Sequence, residues 1–304
     1  MSTADPGPDK ATADAAPEEA VIYEVTDSGV AVLTLNRPDR LNTWGGDIAT
    51  AFYAGLDRAE TDPTVRVIVL TGRGRAFCAG AQLGSMGSVA LSIEKTDQSK
   101  LSGLVGEQLP FQLTTLCKPV IAAINGACVG IGLTQALMCD VRFAAAGAKF
   151  AASFARRGLI AEYGVSWILP RLTGWGVALD LLLSGRTFLA DEAADLGLVK
   201  EVVPPDHLMK RAMEYAEDIA QNCSPASMAV IKRQAYGDAM REVTEDSSRA
   251  ETLLHESLQR PDVIEGITSF LEKRAPGFPG LSASTLAIND SCGSRKDDHG
   301  EPGL

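Results

Sequence analysis

Two runs of small residues, each placed after an apolar strand-like run, constrain the fold of this chain more than any other feature. Val65–Thr71 (VRVIVLT) precedes Phe77–Leu83 (FCAGAQL), and Pro119–Ile124 (PVIAAI) precedes Asn125–Leu133 (NGACVGIGL). Where a strand opens into a helix through Gly and Ala, backbone N–H groups are left unpaired and uncrowded. Two such turns side by side would hold one oxygen with two main-chain donors, as an oxyanion hole does. The alternative is that both are ordinary strand–helix turns of an α/β domain.

Composition bounds the class of protein. The chain has 304 residues, of which 45% are hydrophobic and 22% charged, so a substantial core is expected. A net charge of −11 argues against a nucleic-acid-binding surface, which would need a basic face. The six cysteines form no Cys-x-x-Cys pair and the three histidines are far apart in sequence. We therefore expect reduced thiols, no metal site and no histidine-based triad.

Both ends of the chain differ in composition from the middle. Residues 1–19 are rich in Ala, Asp, Pro and Glu without the pattern of a signal peptide, and they are expected to form a disordered tail. Residues 276–304 have similar character and are expected to form a flexible tail. The uncharged run 119–139 is interrupted by polar residues and by Gly and Pro, so a buried strand, a turn and a helix account for it better than a membrane span does. A soluble, cytoplasmic protein without a membrane partner is expected.

The remaining pattern predicts an α/β core at 20–200 and a helical region at 201–275. Val21–Val25 and Val30–Leu35 are predicted to form a hairpin, followed by a helix over 47–60. Further strands are predicted at 65–70, 141–144 and 149–151, and alternation of strands with helices indicates a parallel sheet. From Asp191 onward the pattern is read as entirely helical.

The order of several motifs identifies the chain as similar to the crotonase (enoyl-CoA hydratase/isomerase) superfamily. The matching segments are LTLNRP at 33–38, VIVLTG at 67–72, FCAGA at 77–81, KPVIAAING at 118–126, MCD at 138–140, RGLIAEYG at 157–164 and FLEKR at 270–274. Each segment alone is a weak signal, but their order over about residues 21–280 is specific.

The resemblance implies a fold, a ligand and an assembly. It implies a spiral core of repeated ββα units with a C-terminal helical trimerisation region, and a homotrimer or hexamer. It also implies an acyl-CoA thioester as substrate. No separate cofactor is implied, because coenzyme A enters as part of the substrate.

The resemblance further assigns residues to the binding of that thioester. The N–H groups of Ala81 and Ile131 would form the oxyanion hole, with Gly80 and Gly130 beside them in the two turns. Main-chain groups near Ala79 would hold the adenine. Arg40 would contribute to binding the phosphates, and Phe270 and Lys273 match positions that line the nucleotide. Thr134 and Phe154 are also expected to contact the substrate. For Arg40 and Lys273 the alternative is ordinary solvated surface charge.

The departure from the family pattern bears on mechanism. Hydratases of this family use two glutamates, whose positions are occupied here by Thr134 and Phe154. A third position, used as the acid by several isomerases and dehalogenases of the superfamily, is Glu162. Its apolar surroundings favour a raised pKa, which suits a base that must return its proton. The alternative for Glu162 is a surface or capping carboxylate on a turn.

Three functions stay open from the sequence. One carboxylate suffices to move a double bond along an acyl chain, so the leading hypothesis is an enoyl-CoA isomerase. An enoyl-CoA hydratase with help from Thr134, Gln135 or Gln82 is the second. A non-catalytic acyl-CoA-binding protein is the third.

Overall fold

A computed structural model describes residues 19–82, 109–238 and 261–280. The strands within these ranges are β1 (Val21–Val25), β2 (Val30–Leu35), β3 (Val67–Gly72), β4 (Ala76–Cys78), β5 (Val120–Ile124), β6 (Ala127–Val129), β7 (Val141–Ala145), β8 (Lys149–Ala151), β9 (Thr187–Leu189) and β10 (Glu201–Val203). The helices are α1 (Gly46–Thr61), α2 (Gln112–Thr115), α3 (Ile131–Leu137), α4 (Val165–Thr173), α5 (Trp175–Ser184), α6 (Ala190–Asp195), α7 (Leu208–Asn222), α8 (Pro225–Asp238) and α9 (Pro261–Glu272).

The strands form two sheets. The larger has the order β1-β2-β3-β5-β7-β10 and is parallel except for the β1–β2 hairpin. The smaller has the order β4-β6-β8-β9, in which only β9 is antiparallel to its neighbour. From β3 to β8, successive strands therefore belong alternately to the larger and the smaller sheet. Helix α1 follows β1 and β2, α3 follows β5 and β6, and α4 follows β7 and β8.

Both faces of the larger sheet are covered, and this explains the unbroken apolar runs of its central strands. In β3, Ile68 and Leu70 pack into the core shared with α1 and α3, while Val67 and Val69 face the other way. The second face is covered by α7, whose Leu208, Ala212, Ala216 and Ala220 recur every fourth residue. Small side chains at that spacing let the helix lie close against the sheet.

The C-terminal helices are tied to the core by a buried polar group. The Asp140 carboxylate accepts a hydrogen bond from the Val120 N–H at 2.6 Å and from the Tyr236 hydroxyl at 3.1 Å. It also pairs with the Lys232 ammonium at 2.8 Å, and that ammonium donates to the Lys118 carbonyl. Lys232 and Tyr236 belong to α8, so this cluster holds α8 against the start of β5.

Sequence and structure differ in several places. The prediction that the chain is helical from Asp191 onward is wrong, because β10 at 201–203 adds the last strand to the larger sheet beside β7. Because β10 belongs to the larger sheet, the α/β core extends beyond its predicted end at residue 200. β9 and α5 were missed, and so were β4 and β6, which fall in the two runs read as turns. β9 and β10 have three residues each, too few to show a period.

Several predicted features lie outside the described residues. These are residues 1–18 of the predicted N-terminal tail, 83–108 of the predicted α/β core, 239–260 of the predicted helical region and 281–304 of the predicted C-terminal tail. Among the described residues, none of the helices combines the length and the apolar character needed to cross a bilayer.

Candidate active site

The two small-residue turns lie side by side. β4 and β6 are parallel neighbours, with Ala76 opposite Ala127 and Cys78 opposite Cys128. The segments that follow the two strands therefore leave the smaller sheet at the same edge. A Cβ built on Gly130 would lie 3.9 Å from the Gly80 Cα, and one built on Gly80 would lie 3.4 Å from the Val129 carbonyl oxygen. Both glycines have positive φ, 102° at Gly80 and 55° at Gly130, which an L side chain rarely adopts.

The main chain of Trp44 fixes the direction of the Ala81 amide. The Trp44 N–H donates to the Gly80 carbonyl at 2.7 Å, and the Gln82 N–H donates to the Trp44 carbonyl at 2.9 Å. Trp44 is therefore paired in parallel with Ala81. In a parallel pair, the residue between two such bonds turns its own N–H and C=O to the opposite side. The N–H of Ala81 thus points away from Trp44 and donates to no described backbone carbonyl.

The loop between β2 and α1 holds Trp44 in this position. Leu41 and Asn42 are both left-handed, with φ of 57° and 53°. The Asn42 side chain accepts from the Arg37 N–H at 2.7 Å and donates to the Arg73 and Ala76 carbonyls at 3.0 and 2.8 Å. The Leu41 carbonyl accepts from the Ala79 N–H at 3.1 Å. Asn42 thus links this loop to the residues just before the first turn.

The second amide comes from the start of α3. Ile131 is the first residue of this helix, so its N–H has no acceptor within the helix. Gly132 makes the close approach of α3 to the first turn possible, since a Cβ there would lie 2.7 Å from the Cys78 Cβ. The Ile131 side chain is buried in the same apolar cluster as Phe154, and Ala81 packs against that cluster.

The two positions where a hydratase would carry glutamates are buried and without charge. Thr134 is fully buried, and its hydroxyl donates to the Gly130 carbonyl at 3.3 Å. Phe154 is buried in the apolar core immediately before a 3-10 turn at Ala155–Arg157. Neither side chain can exchange a proton at neutral pH.

Glu162 lies on a turn of unusual backbone geometry. The next two residues, Tyr163 and Gly164, are both left-handed, with φ of 57° and 83°, before α4 begins at Val165. The Glu162 side chain is half-buried, and burial raises its pKa above the ordinary value of 4.5. Burial, with a further contribution from the charge of Glu162, raises the pKa of Tyr163 to about 12, so Tyr163 stays neutral.

The residues predicted to bind the nucleotide come from separate parts of the chain. Ala79 uses its own N–H on the Leu41 carbonyl, as described above. Arg40 pairs with the Asp47 carboxylate at 2.5 Å, which Arg37 shares at 3.1 Å, so Arg40 is not a free surface charge. Phe270 lies in α9, and Lys273 follows that helix as an exposed residue with φ of 54°. Their roles stay predictions.

The family of this chain follows from comparison with known proteins. The chain belongs to the enoyl-CoA hydratase/isomerase family, whose model matches residues 25–280. The resemblance to the crotonase superfamily is thereby confirmed, and so is the crotonase-like α/β fold.

Individual relatives carry both names of the family. A 1,2-epoxyphenylacetyl-CoA isomerase of Escherichia coli is 34% identical over 264 residues, covering 85% of this chain and 98% of the relative. A probable enoyl-CoA hydratase of Rhodobacter capsulatus is 35% identical over 259 residues, covering 85% and 97%. The crystal structure of an enoyl-CoA hydratase from Mycobacterium marinum is 68% identical, with a TM-score of 0.63, and covers 74% of this chain and all of that one. A probable enoyl-CoA hydratase/isomerase from Mycobacterium abscessus is 33% identical with a TM-score of 0.76.

Proposed function

We propose that the protein is an enoyl-CoA isomerase that moves a carbon–carbon double bond along the acyl chain of a coenzyme A thioester. The N–H groups of Ala81 and Ile131 would hold the thioester oxygen, and Glu162 would act as the single acid–base group. The observation that carries the proposal is that Thr134 and Phe154, at the two hydratase glutamate positions, are buried side chains without a titratable group.

The reaction needs one proton to leave and one to return. The Glu162 carboxylate removes a proton from an acyl carbon, and the electron pair of that C–H bond moves into the thioester carbonyl. The resulting dienolate oxygen is stabilised by the two amides, which are main-chain dipoles already in place before the charge develops. The same carboxyl then delivers the proton two carbons away, and the carbonyl and the shifted double bond form.

The raised pKa of Glu162 suits both halves of this cycle. A carboxylate with a very low pKa would be a weak base, and one with a pKa closer to neutrality both takes and returns a proton readily. Half-burial provides this shift, because it disfavours the charged carboxylate.

Hydration is the second candidate, and the enoyl-CoA hydratase named in the 68%-identical structure favours it. In this alternative Glu162 would be the only strong acid–base group, with Thr134 or a glutamine orienting the water. Thr134 is a weak candidate for that task because its hydroxyl already donates to the Gly130 carbonyl.

A product assay in labelled water separates these candidates. Incubated with 2-enoyl-CoA esters, an isomerase equilibrates the 2- and 3-enoyl forms, whereas a hydratase yields a 3-hydroxyacyl-CoA. Glu162→Gln is the matched variant, and its isomerisation rate is expected to fall at least about 100-fold. Binding of the esters with no turnover by the wild type would instead favour a non-catalytic acyl-CoA-binding protein. Full activity of Glu162→Gln would refute the mechanism.

The proposed assembly is a homotrimer or a hexamer formed through the C-terminal helices. Large apolar side chains on these helices are exposed in the single chain: Ile231 on α8, and Ile264 and Leu271 on α9, at 62%, 69% and 72%. Ile264 and Leu271 are seven residues apart and so share one face of α9. Contact with a second copy would remove this surface from water.

A further inference from the structure

A buried group of polar side chains lies beside the candidate active site and is only partly hydrogen-bonded. The Gln135 amide donates through Nε2 to the Tyr53 hydroxyl at 3.3 Å. The Trp44 ring packs edge-on against the Tyr53 ring, with centroids 6.1 Å apart. All three residues are at most 5% exposed. We call Trp44, Tyr53 and Gln135 the polar cluster.

Two atoms of the polar cluster have no hydrogen-bond partner among the described residues. These are Oε1 of Gln135, an acceptor, and Nε1 of Trp44, a donor. If the oxygen and nitrogen of the Gln135 amide were exchanged, one of these two atoms would still have no partner, because the Tyr53 hydroxyl contacts only one of them. Burial of an unpaired polar atom is unfavourable, so such atoms are normally paired by a water or a ligand.

The polar cluster is connected to each of the three proposed catalytic groups. Gln135 lies four residues after Ile131, on the same face of α3. Trp44 bonds to the residues on either side of Ala81. Tyr163, the neighbour of Glu162, is close enough to Tyr53 to raise its pKa, although burial is the larger cause. The polar cluster is thus built on, or borders, the segments of the chain that carry the three proposed groups.

We propose, on the basis of the function proposed above, that the polar cluster recognises a hydroxyl group on the acyl chain of the substrate. A hydroxyl donates one hydrogen bond and accepts others, so it matches an acceptor at Gln135 and a donor at Trp44. The phenol of Tyr53 stays neutral, because burial raises its pKa to about 12, and it keeps a proton to donate. A purely hydrocarbon acyl chain would leave these atoms unpaired.

Binding of saturated CoA esters tests this without requiring turnover. The probes are octanoyl-CoA with 7- and 8-hydroxyoctanoyl-CoA, and phenylacetyl-CoA with 3- and 4-hydroxyphenylacetyl-CoA, measured by isothermal titration calorimetry. We expect at least one hydroxylated ester to bind about 10-fold or more tightly than its parent. Gln135→Met and Tyr53→Phe, which keep most of the side-chain volume, should each abolish most of that difference.

Tyr23→Phe is the matched control. The Tyr23 hydroxyl is also buried without a partner among the described residues, but its ring lies under the Arg58 guanidinium at 4.2 Å on β1, the edge strand of the larger sheet. This variant should keep the full preference for the hydroxylated ester.

The outcomes separate this inference from the proposed function. Equal affinity for hydroxylated and parent esters overturns the inference, as it would if a fixed water paired the cluster, and it leaves isomerisation intact. A preference that persists in both Gln135→Met and Tyr53→Phe overturns it as well. An inactive enzyme that still shows the preference contradicts the proposed chemistry alone.

Discussion

Gly80 and Gly130 lie so close that a Cβ built on Gly130 would be 3.9 Å from the Gly80 Cα, and the amides of Ala81 and Ile131 follow one residue further along each turn. In the proposed site, Ala81 and Ile131 act through their N–H groups and not through their side chains. The geometry of the two donors therefore depends on how closely two backbones approach, and the residues that control this approach are the sharpest targets for substitution.

Gly132→Ala should separate the two turns. The added methyl group would lie 2.3 Å from the Cys78 carbonyl oxygen, and this oxygen belongs to the backbone and cannot rotate away. We expect a loss of about 1–3 kcal/mol in the free energy of unfolding and a fall of about 100-fold in kcat. Gly176→Ala, where the methyl group meets open space within α5, is the control and should lower neither quantity. Wild-type kcat in Gly132→Ala would contradict the proposed oxyanion hole.

The pH dependence of kcat/KM should report the Glu162 carboxyl. Burial raises its pKa, so the carboxylate that acts as base is lost as the pH falls through that raised value. The acidic limb of the profile is therefore expected above the ordinary value of 4.5. In Glu162→Gln the residual rate should lack this limb. A limb at or below 4.5 in the wild type would show that another group acts as base.

Thr134→Val distinguishes the two chemistries. The hydroxyl bonds to the Gly130 carbonyl, so its removal should cost about 1 kcal/mol in the free energy of unfolding. Isomerisation should stay within about threefold of the wild-type rate, because no step of the proposed cycle uses this hydroxyl. If the protein instead hydrates 2-enoyl-CoA and this variant loses that activity, Thr134 orients the water and the hydratase alternative is supported.

Asp140→Ala should weaken the attachment of α8. The substitution leaves the Lys232 ammonium buried without its carboxylate, and such a loss costs about 3 kcal/mol or more. Asp180→Ala, which removes an exposed partner of Arg186, is the control and should cost less than about 1 kcal/mol. Urea denaturation measures both. Equal effects of the two substitutions would contradict a structural role for the buried pair.

The double variant Ile264→Lys, Leu271→Lys should reduce the assembly to single chains. Charged side chains on that face of α9 would oppose burial against a second copy, and light scattering after size-exclusion chromatography gives the mass directly. Leu183→Lys serves as the comparison, since Leu183 is as exposed as Leu271 but lies on α5. Dissociation by Leu183→Lys alone would move the interface away from the C-terminal helices.

The sequence predicted those elements whose apolar pattern is long enough to show a period. The bounds of β1 and β2 are as predicted, and the helix predicted over 47–60 is α1 at Gly46–Thr61. The two small-residue runs were read as turns, but each also contributes a short strand, β4 at Ala76–Cys78 and β6 at Ala127–Val129, before the chain turns. Three-residue strands such as β9 and β10 gave no such signal.

The site residues that the sequence did not indicate act through contacts that are distant along the chain. Trp44 lies 37 residues before Ala81, and nothing in the local sequence pairs them. Likewise, Tyr53 and Gln135 are 82 residues apart and meet only because α1 and α3 pack together. Gln135 itself was considered from the sequence as a helper in hydration, but its contact with Tyr53 was not.

In the proposed site, main-chain amides hold the thioester and a side chain moves the proton, and this separation has a consequence for engineering. In the proposed mechanism the electrophilic part of the site is built from peptide bonds, so substitutions at 154 and 162 replace no donor to the thioester, whereas those at 134 also remove a hydrogen bond to the Gly130 carbonyl. New chemistry on the same scaffold should therefore be accessible by redistributing acidic groups among these three positions. The glycines that set the spacing of the two amides must be kept constant in any such library.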